Sequence, residues 1–202
     1  MRDATVIDWM ALLNDSHGAL RVAVSGVPGG GWGRPTPCEL WTVTQVVQHA
    51  AGDQIGYAAA ITGEPGPAYD PFAPSGQLDE DAVAFTQAAI GRSAAAFATV
   101  AADAEAVPNP LPQGPLPAWV AAGACALDAA VHAWDIAVAT AQPSPLTPAM
   151  ATGLLTVARQ IVEPLRAWGA YATARPADPA DPVASLLAYL GRDPAWSAPQ
   201  SA

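Results

Sequence analysis

"WVAAGACALDAAVHAWDIAVAT", Trp119 to Thr140, decides how the rest of the chain is read. It contains no proline, one glycine, and a run of alanine, leucine and valine that favours a helix. Val120, Leu127, Val131, Trp134 and Val138 form one spine, while Ala122, Ala126, Ala130, Ala133 and Ala137 cover the other side. A helix that is apolar nearly all round is buried among other helices. Its polar exceptions are Asp128, His132 and Asp135. Between Val107 and Ala158, Asp128 and Asp135 are the sole charged side chains.

Helical periodicity continues on both sides, and strand-like alternation is hard to find. A first helix is expected from about Asp3 to Val24, ending in the breaker series "GVPGGGWGRPTPC", Gly26 to Cys38. A second begins at Thr42, where "TVTQ" matches a capping box between Thr42 and Gln45, and stops at Gly63. The Pro/Gly loop Glu64 to Gln77 precedes a third helix, Asp79 to Ala102, with acids in its first turn. After a second proline loop, Val107 to Pro117, comes the buried helix. A fifth opens on Thr147–Pro148 and runs to about Trp168, bent near Pro164; a last short one opens on Asp181–Pro182 and closes at Gly191. The expected fold is all-α: a four-helix bundle with added helical material at one end, in one domain over residues 1–202 with a tail from about 172 packed on it. Loops of ten or more residues in such a bundle carry function or act as lids.

The net charge of −10 and pI near 4.4 argue against nucleic acid, anionic membranes and polyphosphates as partners. All eight basic residues are arginines, and the 21 prolines and 17 glycines match coding in a GC-rich, actinobacterial genome. Asp3 and Asp8 stand where a secretory leader needs its apolar run, and apolar stretches are interrupted before roughly 18 residues, so no membrane span is expected. Two cysteines are too few for a disulfide framework. The expected location is the cytoplasm.

On a helix Asp128, His132 and Asp135 fall within roughly 60° of one another, and Asp128 and His132 at i, i+4 face one point. A buried carboxylate is costly unless it is paired or binds a metal, and no basic residue lies nearby in sequence to pair with it. A third ligand must come from another helix, as in metal sites of helical bundles. His17, beside Asn14, Asp15 and Ser16, reads as solvated. His49, on the flank of the second helix's apolar face, is the expected ligand. The competing reading makes Asp128, His132 and Asp135 the one wet stripe of a surface helix.

Three blocks carry a family resemblance: "PTPCELWTVTQVVQHAAG" (Pro35 to Gly52), "LDAAVHAWDIAVAT" (Leu127 to Thr140) and "LLAYLGRDPAW" (Leu186 to Trp196). In this order they resemble actinobacterial DinB-like proteins, specifically the mycothiol-dependent maleylpyruvate isomerase N-terminal domain group. The resemblance implies a four-helix bundle and a metal held by His49, Asp128 and His132. By the family's habit the metal is zinc, although two histidines and a carboxylate also suit Fe(II) and nickel is an alternative. It further implies an open coordination position and mycothiol as co-substrate, its sulfur becoming a nucleophile for transfer, conjugation or isomerisation. The isomerase itself carries a further C-terminal domain for which this chain leaves no room, which argues against maleylpyruvate as the substrate.

The expectation is thus a metal-dependent thiol transferase or isomerase acting on a small electrophile. Its rivals are a non-catalytic metal- or small-molecule-binding module and a thiol-independent cyclase or lyase using the metal as Lewis acid. Asp135 reads as structural first and as an orienter of a ligand histidine second. Trp41 and Trp134 read as core, Cys38 and Cys125 as buried small hydrophobes, and Arg159 and Arg166 as solvated. Exposed alanine faces suit a homodimer.

Overall fold

The computed structural model describes residues 7–38 and 40–199. Among these residues six helices follow one another: α1 (Trp9–Ser25), α2 (Val43–Thr62), α3 (Ala82–Phe97), α4 (Ala118–Ala139), α5 (Pro148–Ala167) and α6 (Pro182–Tyr189). Among the described residues there is no strand, only the isolated bridges Pro35–Thr42 and Val107–Leu116 that pin two loops. The fold is the expected all-α four-helix bundle, made by α1 to α4. α5 and α6 add to it.

Local chemistry sets the helix ends. At α2 the Thr42 hydroxyl accepts from the Gln45 backbone N–H, and the Gln45 side chain accepts from the Thr42 N–H, as the capping-box reading requires. Gly63 ends α2 in the left-handed conformation. Thr147 and Asp181 cap α5 and α6 with proline in the first turn of each. Other boundaries differ from expectation. α1 begins at Trp9 because the Asp8 carboxylate caps it, accepting from Ala11 N–H; the expected start at Asp3 lies outside the described residues. α3 begins at Ala82, so Asp79 and Glu80 precede it and Asp81 is its cap rather than a first-turn acid.

α4 lies at the centre, packed against α1, α2 and α5. It is apolar and long enough to cross a membrane, yet 94% of its most apolar window is buried inside the bundle, so the other helices already cover it. Leu127, Val131 and Trp134 join Leu13, Leu154 and Val157 in the main core; Ala129, Ala133 and Ile136 pack with Leu20, Val46 and Val47 on the other side. Burial of a Leu or Val side chain contributes about 1.5–3 kcal/mol, so this two-sided packing also fixes α4's rotation about its axis. Leu186, Leu187 and Leu190 bring the C-terminal segment into the main core.

His17 departs from the sequence reading. It is 1% exposed, on the stripe of α1 that also carries Leu13, Ser16, Leu20 and Val24. Its Nε2 meets Gln54 Oε1 of α2 at 2.8 Å. The polar neighbours Asn14 and Asp15 misled: helical period, not sequence adjacency, decides which side a residue faces.

Candidate metal centre

α2 and α4 bring together the three side chains expected to meet. His49 Nε2 and His132 Nε2 each lie 3.4 Å from the same oxygen of Asp128, Oδ1. The ligand atoms of all three residues fall within 4.8 Å of one another, and the two imidazoles meet edge to face. His17 is not among them.

The other ring nitrogens are committed. His49 Nδ1 faces the Pro71 carbonyl at 3.0 Å, and His132 Nδ1 faces Asp135 Oδ2 at 2.9 Å. A carbonyl can only accept, so His49 carries its proton on Nδ1; an ionised Asp135 sets the same tautomer in His132. With both imidazoles neutral, the Nε2 lone pairs then point toward Asp128. Those acceptors repel across 3.4 Å unless a proton on Nε2 or a metal lies between them, and a metal serves all three at once.

Two further observations fit a metal. Asp128 Oδ2 is buried and has no hydrogen-bond partner among the described residues, a costly condition for a carboxylate oxygen. Burial alone would push the His49 pKa down, but the Asp53 and Asp128 carboxylates and the Pro71 carbonyl carry it up to about 9; the pocket selects for positive charge. Two donors at about 2.1 Å from a tetrahedral zinc stand ~3.4 Å apart. The observed separation is long for a hydrogen bond and suited to co-ligands.

Positioning comes from close packing. A Cβ on Gly52 would lie 2.8 Å from Pro71 Cγ and 3.1 Å from Tyr69 Oη. The bare α-carbon lets the 64–77 loop press onto α2, where Tyr69 donates to the Gln48 carbonyl at 2.6 Å and Pro71 reaches His49. Trp41 and Phe72 flank His49 with ring centroids 4.8 and 5.3 Å away, and Phe72 is 64% exposed. Trp41, read as core, is therefore a half-buried wall of the site; Trp134 is core as expected. The second proline loop packs elsewhere, with Gln113 donating to the Ile161 carbonyl of α5.

Asp135 is fully buried and is both structural and an orienter of His132. Burial would raise its carboxyl pKa, but Arg192 and His132 hold it well below the usual range. Arg192 binds it through two nitrogens, Nε to Oδ1 at 2.8 Å and Nη2 to Oδ2 at 2.7 Å. Cys38 Sγ donates to the same Oδ2 at 3.2 Å. Cys38, His132 and Asp135 form a second set of convergent donors, but the Arg192 guanidinium already supplies the cation there, 3.3 Å from Cys38 Sγ. Cys125 is buried as expected, against Gln54 and Ser93. Arg159 is exposed, whereas Arg166 folds onto Glu163 and the Tyr189 ring.

The sequence reading missed Asp53. Its Oδ2 lies 3.8 Å from His49 Nε2, one helical turn along α2. Burial, then the neighbouring Asp128 charge, push its carboxyl up to about 7 against the pull of His49. The signal was present: "HAAGD" repeats, in reverse order, the i, i+4 pairing of Asp128 and His132.

The bundle thus holds a convergent His–Asp–His set, a candidate metal centre, between its second and fourth helices. Residues 13–137, which span α1 to α4 almost completely, match the family described as mycothiol maleylpyruvate isomerase N-terminal domain. The chain belongs to that family. It is 36% identical over 165 residues to an uncharacterized protein found in two strains of Mycobacterium tuberculosis, covering 79% of this chain and 84% of that protein. The crystal structure of a mutant mycothiol-dependent maleylpyruvate isomerase superposes with a TM-score of 0.52 at 21% identity. The match covers 64% of this chain and 59% of that one, and is a likeness of fold.

Proposed function

We propose that the protein is a divalent-metal-dependent enzyme that activates a low-molecular-weight thiol, mycothiol by its family, for addition to a small electrophile. One observation carries the metal reading: two imidazole nitrogens, their tautomers set from outside, share one carboxylate oxygen at 3.4 Å from each. The thiol reading rests on the family match.

His49, Asp128 and His132 are the ligands, three in number, which leaves a position open as catalytic zinc sites do. The donor set suits zinc first and Fe(II) or nickel second. When bound, the metal favours the deprotonated form of a coordinated thiol and so supplies a nucleophile at neutral pH. Asp53 Oδ2, on the next turn of α2 and without a hydrogen bond among the described residues, is placed to accept the thiol proton. The sulfur electron pair would then form the new bond to the electrophilic carbon, while either the carbon's π pair takes up the proton held by Asp53 or a leaving group departs as an anion, chloride for a chloroarene. Trp41 and Phe72 wall the approach and limit water. On this reading the described residues work as a single bundle, with those from about 172 packed on it, in the cytoplasm.

Two measurements test this. Elemental analysis should find about one zinc per wild-type chain and almost none in His132→Ala. The zinc-loaded protein should conjugate mycothiol to 1-chloro-2,4-dinitrobenzene. Equal metal in both proteins sinks the site assignment; zinc binding without thiol consumption leaves a binding module, and turnover of a carbonyl substrate without thiol points to Lewis-acid chemistry instead.

A further inference from the structure

The C-terminal block "LGRDPAW" lies outside the residues that match the family, yet its arginine ends at the candidate metal centre. α6 ends at Tyr189 with Leu190 as its cap, and Gly191 follows with a φ of +84°, the left-handed conformation glycine adopts without strain. Gly191 N–H donates to the Ala188 carbonyl and Arg192 N–H to the Leu187 carbonyl at 2.9 Å, a closing turn that reverses the chain. A Cβ at Gly191 would lie 2.8 Å from the Ala172 carbonyl oxygen, so the turn is also pressed against the chain that follows α5. Leu186, Leu187 and Leu190 anchor the segment in the core.

The turn delivers Arg192 to Asp135, 57 residues away, in a two-point guanidinium–carboxylate pair with 10% and 0% of the two side chains exposed. Such a pair is planar and directional. It fixes both oxygens of Asp135, and one of these, Oδ2, receives His132 Nδ1. The same oxygen receives the Cys38 thiol from the loop that carries Trp41 onto His49. One carboxylate thus joins a ligand helix, a loop at the mouth of the site and the last helix of the fold.

We propose that Arg192 is a positioning residue for the metal centre: by clamping Asp135 it aims His132 Nε2 at the ligand position, so that metal binding and docking of the Leu186–Trp196 segment strengthen each other. The proposal rests on the metal reading above and on the chain Arg192–Asp135–His132, with contacts of 2.7 and 2.9 Å. Coupling between two sites is reciprocal. If docking of the segment sharpens the site, filling the site must also hold the segment down. A purely structural ion pair predicts no such response.

Amide hydrogen exchange of the wild-type chain, with and without added zinc, reads the coupling directly at Gly191 and Arg192. Zinc should slow exchange there by about tenfold or more, and Arg192→Met should weaken zinc binding by about the same factor. Arg192→Lys, which keeps the charge but not the fork, should fall between. Unchanged exchange at these amides, together with equal zinc affinity in Arg192→Met, overturns the proposal. If Arg192→Met does not fold, the wild-type exchange difference decides alone. If the wild type binds no zinc, the metal reading fails by itself, and the clamp is then read in the zinc-free protein from the imidazole ¹⁵N shifts of His132. A single Nδ1–H tautomer in wild type that becomes mixed in Arg192→Met or Arg192→Lys supports the clamp; identical spectra in all three refute it.

Discussion

His49 and His132 approach one oxygen of Asp128 from two different helices, at the same 3.4 Å. The two imidazoles are held from behind by unlike acceptors, a loop carbonyl for His49 and a buried carboxylate for His132. The orientation of the pair is therefore built into the protein before any cation arrives.

Zinc should raise the thermal stability of the folded chain. At a free concentration about a thousandfold above the dissociation constant the gain is ~4 kcal/mol, or roughly 8–16 °C for a chain of this size. Scanning calorimetry with zinc and then with excess chelator measures it. His49→Ala should lose the increment while its zinc-free transition stays within a few degrees of wild type.

Gly52→Ala should weaken zinc binding although it touches no ligand. The added methyl meets Pro71 and Tyr69, so the loop must lift and the carbonyl leaves His49. Overpacking of this kind costs about 1–3 kcal/mol of stability, and loss of an outer partner of a ligand histidine costs about 10–100-fold in metal affinity. A competition titration with a chromogenic chelator gives the second figure; an affinity equal to wild type would show that the Pro71 contact is idle.

His17 should make the fold sensitive to acid. Burial, opposed only in part by the Gln54 bond and reinforced by Arg21, lowers its pKa from 6.5 to about 4. Its Nδ1 is buried with no partner among the described residues, so a second proton there would be unsupported. The unfolded chain takes up that proton near 6.5 and the folded chain only near 4. The stabilisation is complete above 6.5, falls as pH drops between these values, and is gone below about 4. The difference corresponds to ~3 kcal/mol. Urea unfolding at pH 7 and 4.5 should show a larger loss in wild type than in His17→Gln, which keeps a donor for Gln54; equal losses would assign the acid sensitivity to other groups.

Neither cysteine should behave as a nucleophile. Burial, then the Asp135 charge, raise the Cys38 thiol far above its usual range despite Arg192, and burial does the same for Cys125. Ellman's reagent at pH 7.5 should label the native chain slowly and both thiols rapidly in urea. Fast labelling of one native thiol would give the thiol chemistry a second candidate.

What the sequence disclosed was chiefly what is local. Thr42 with Gln45, Gly63, and Thr147 with Pro148 mark helix ends through contacts within four residues, and the structure has each of them. The pairing of Asp128 with His132 is one helical turn, and α4's apolar circumference showed that it is central. Where the outcome depends on which helices meet, sequence reasoning failed or was silent. His17 was placed in solvent because its neighbours are polar. Arg192 was unseen as the partner of Asp135 because 57 residues separate them. Pro71 contributes through its carbonyl, a group every residue owns, so no side-chain pattern could single it out. Asp53 was legible by spacing and was overlooked.

The distance in sequence between Asp135 and Arg192 also bears on how the protein is made. While the chain is still being synthesised, α4 exists for some time before residue 192 has left the ribosome. During that interval Asp135 has no guanidinium, and enclosing its charge would cost several kcal/mol. The nascent bundle must therefore leave that end of α4 wet and ajar until residue 192 has emerged, and a ribosome stalled after α5 would display an open bundle that proteases can reach.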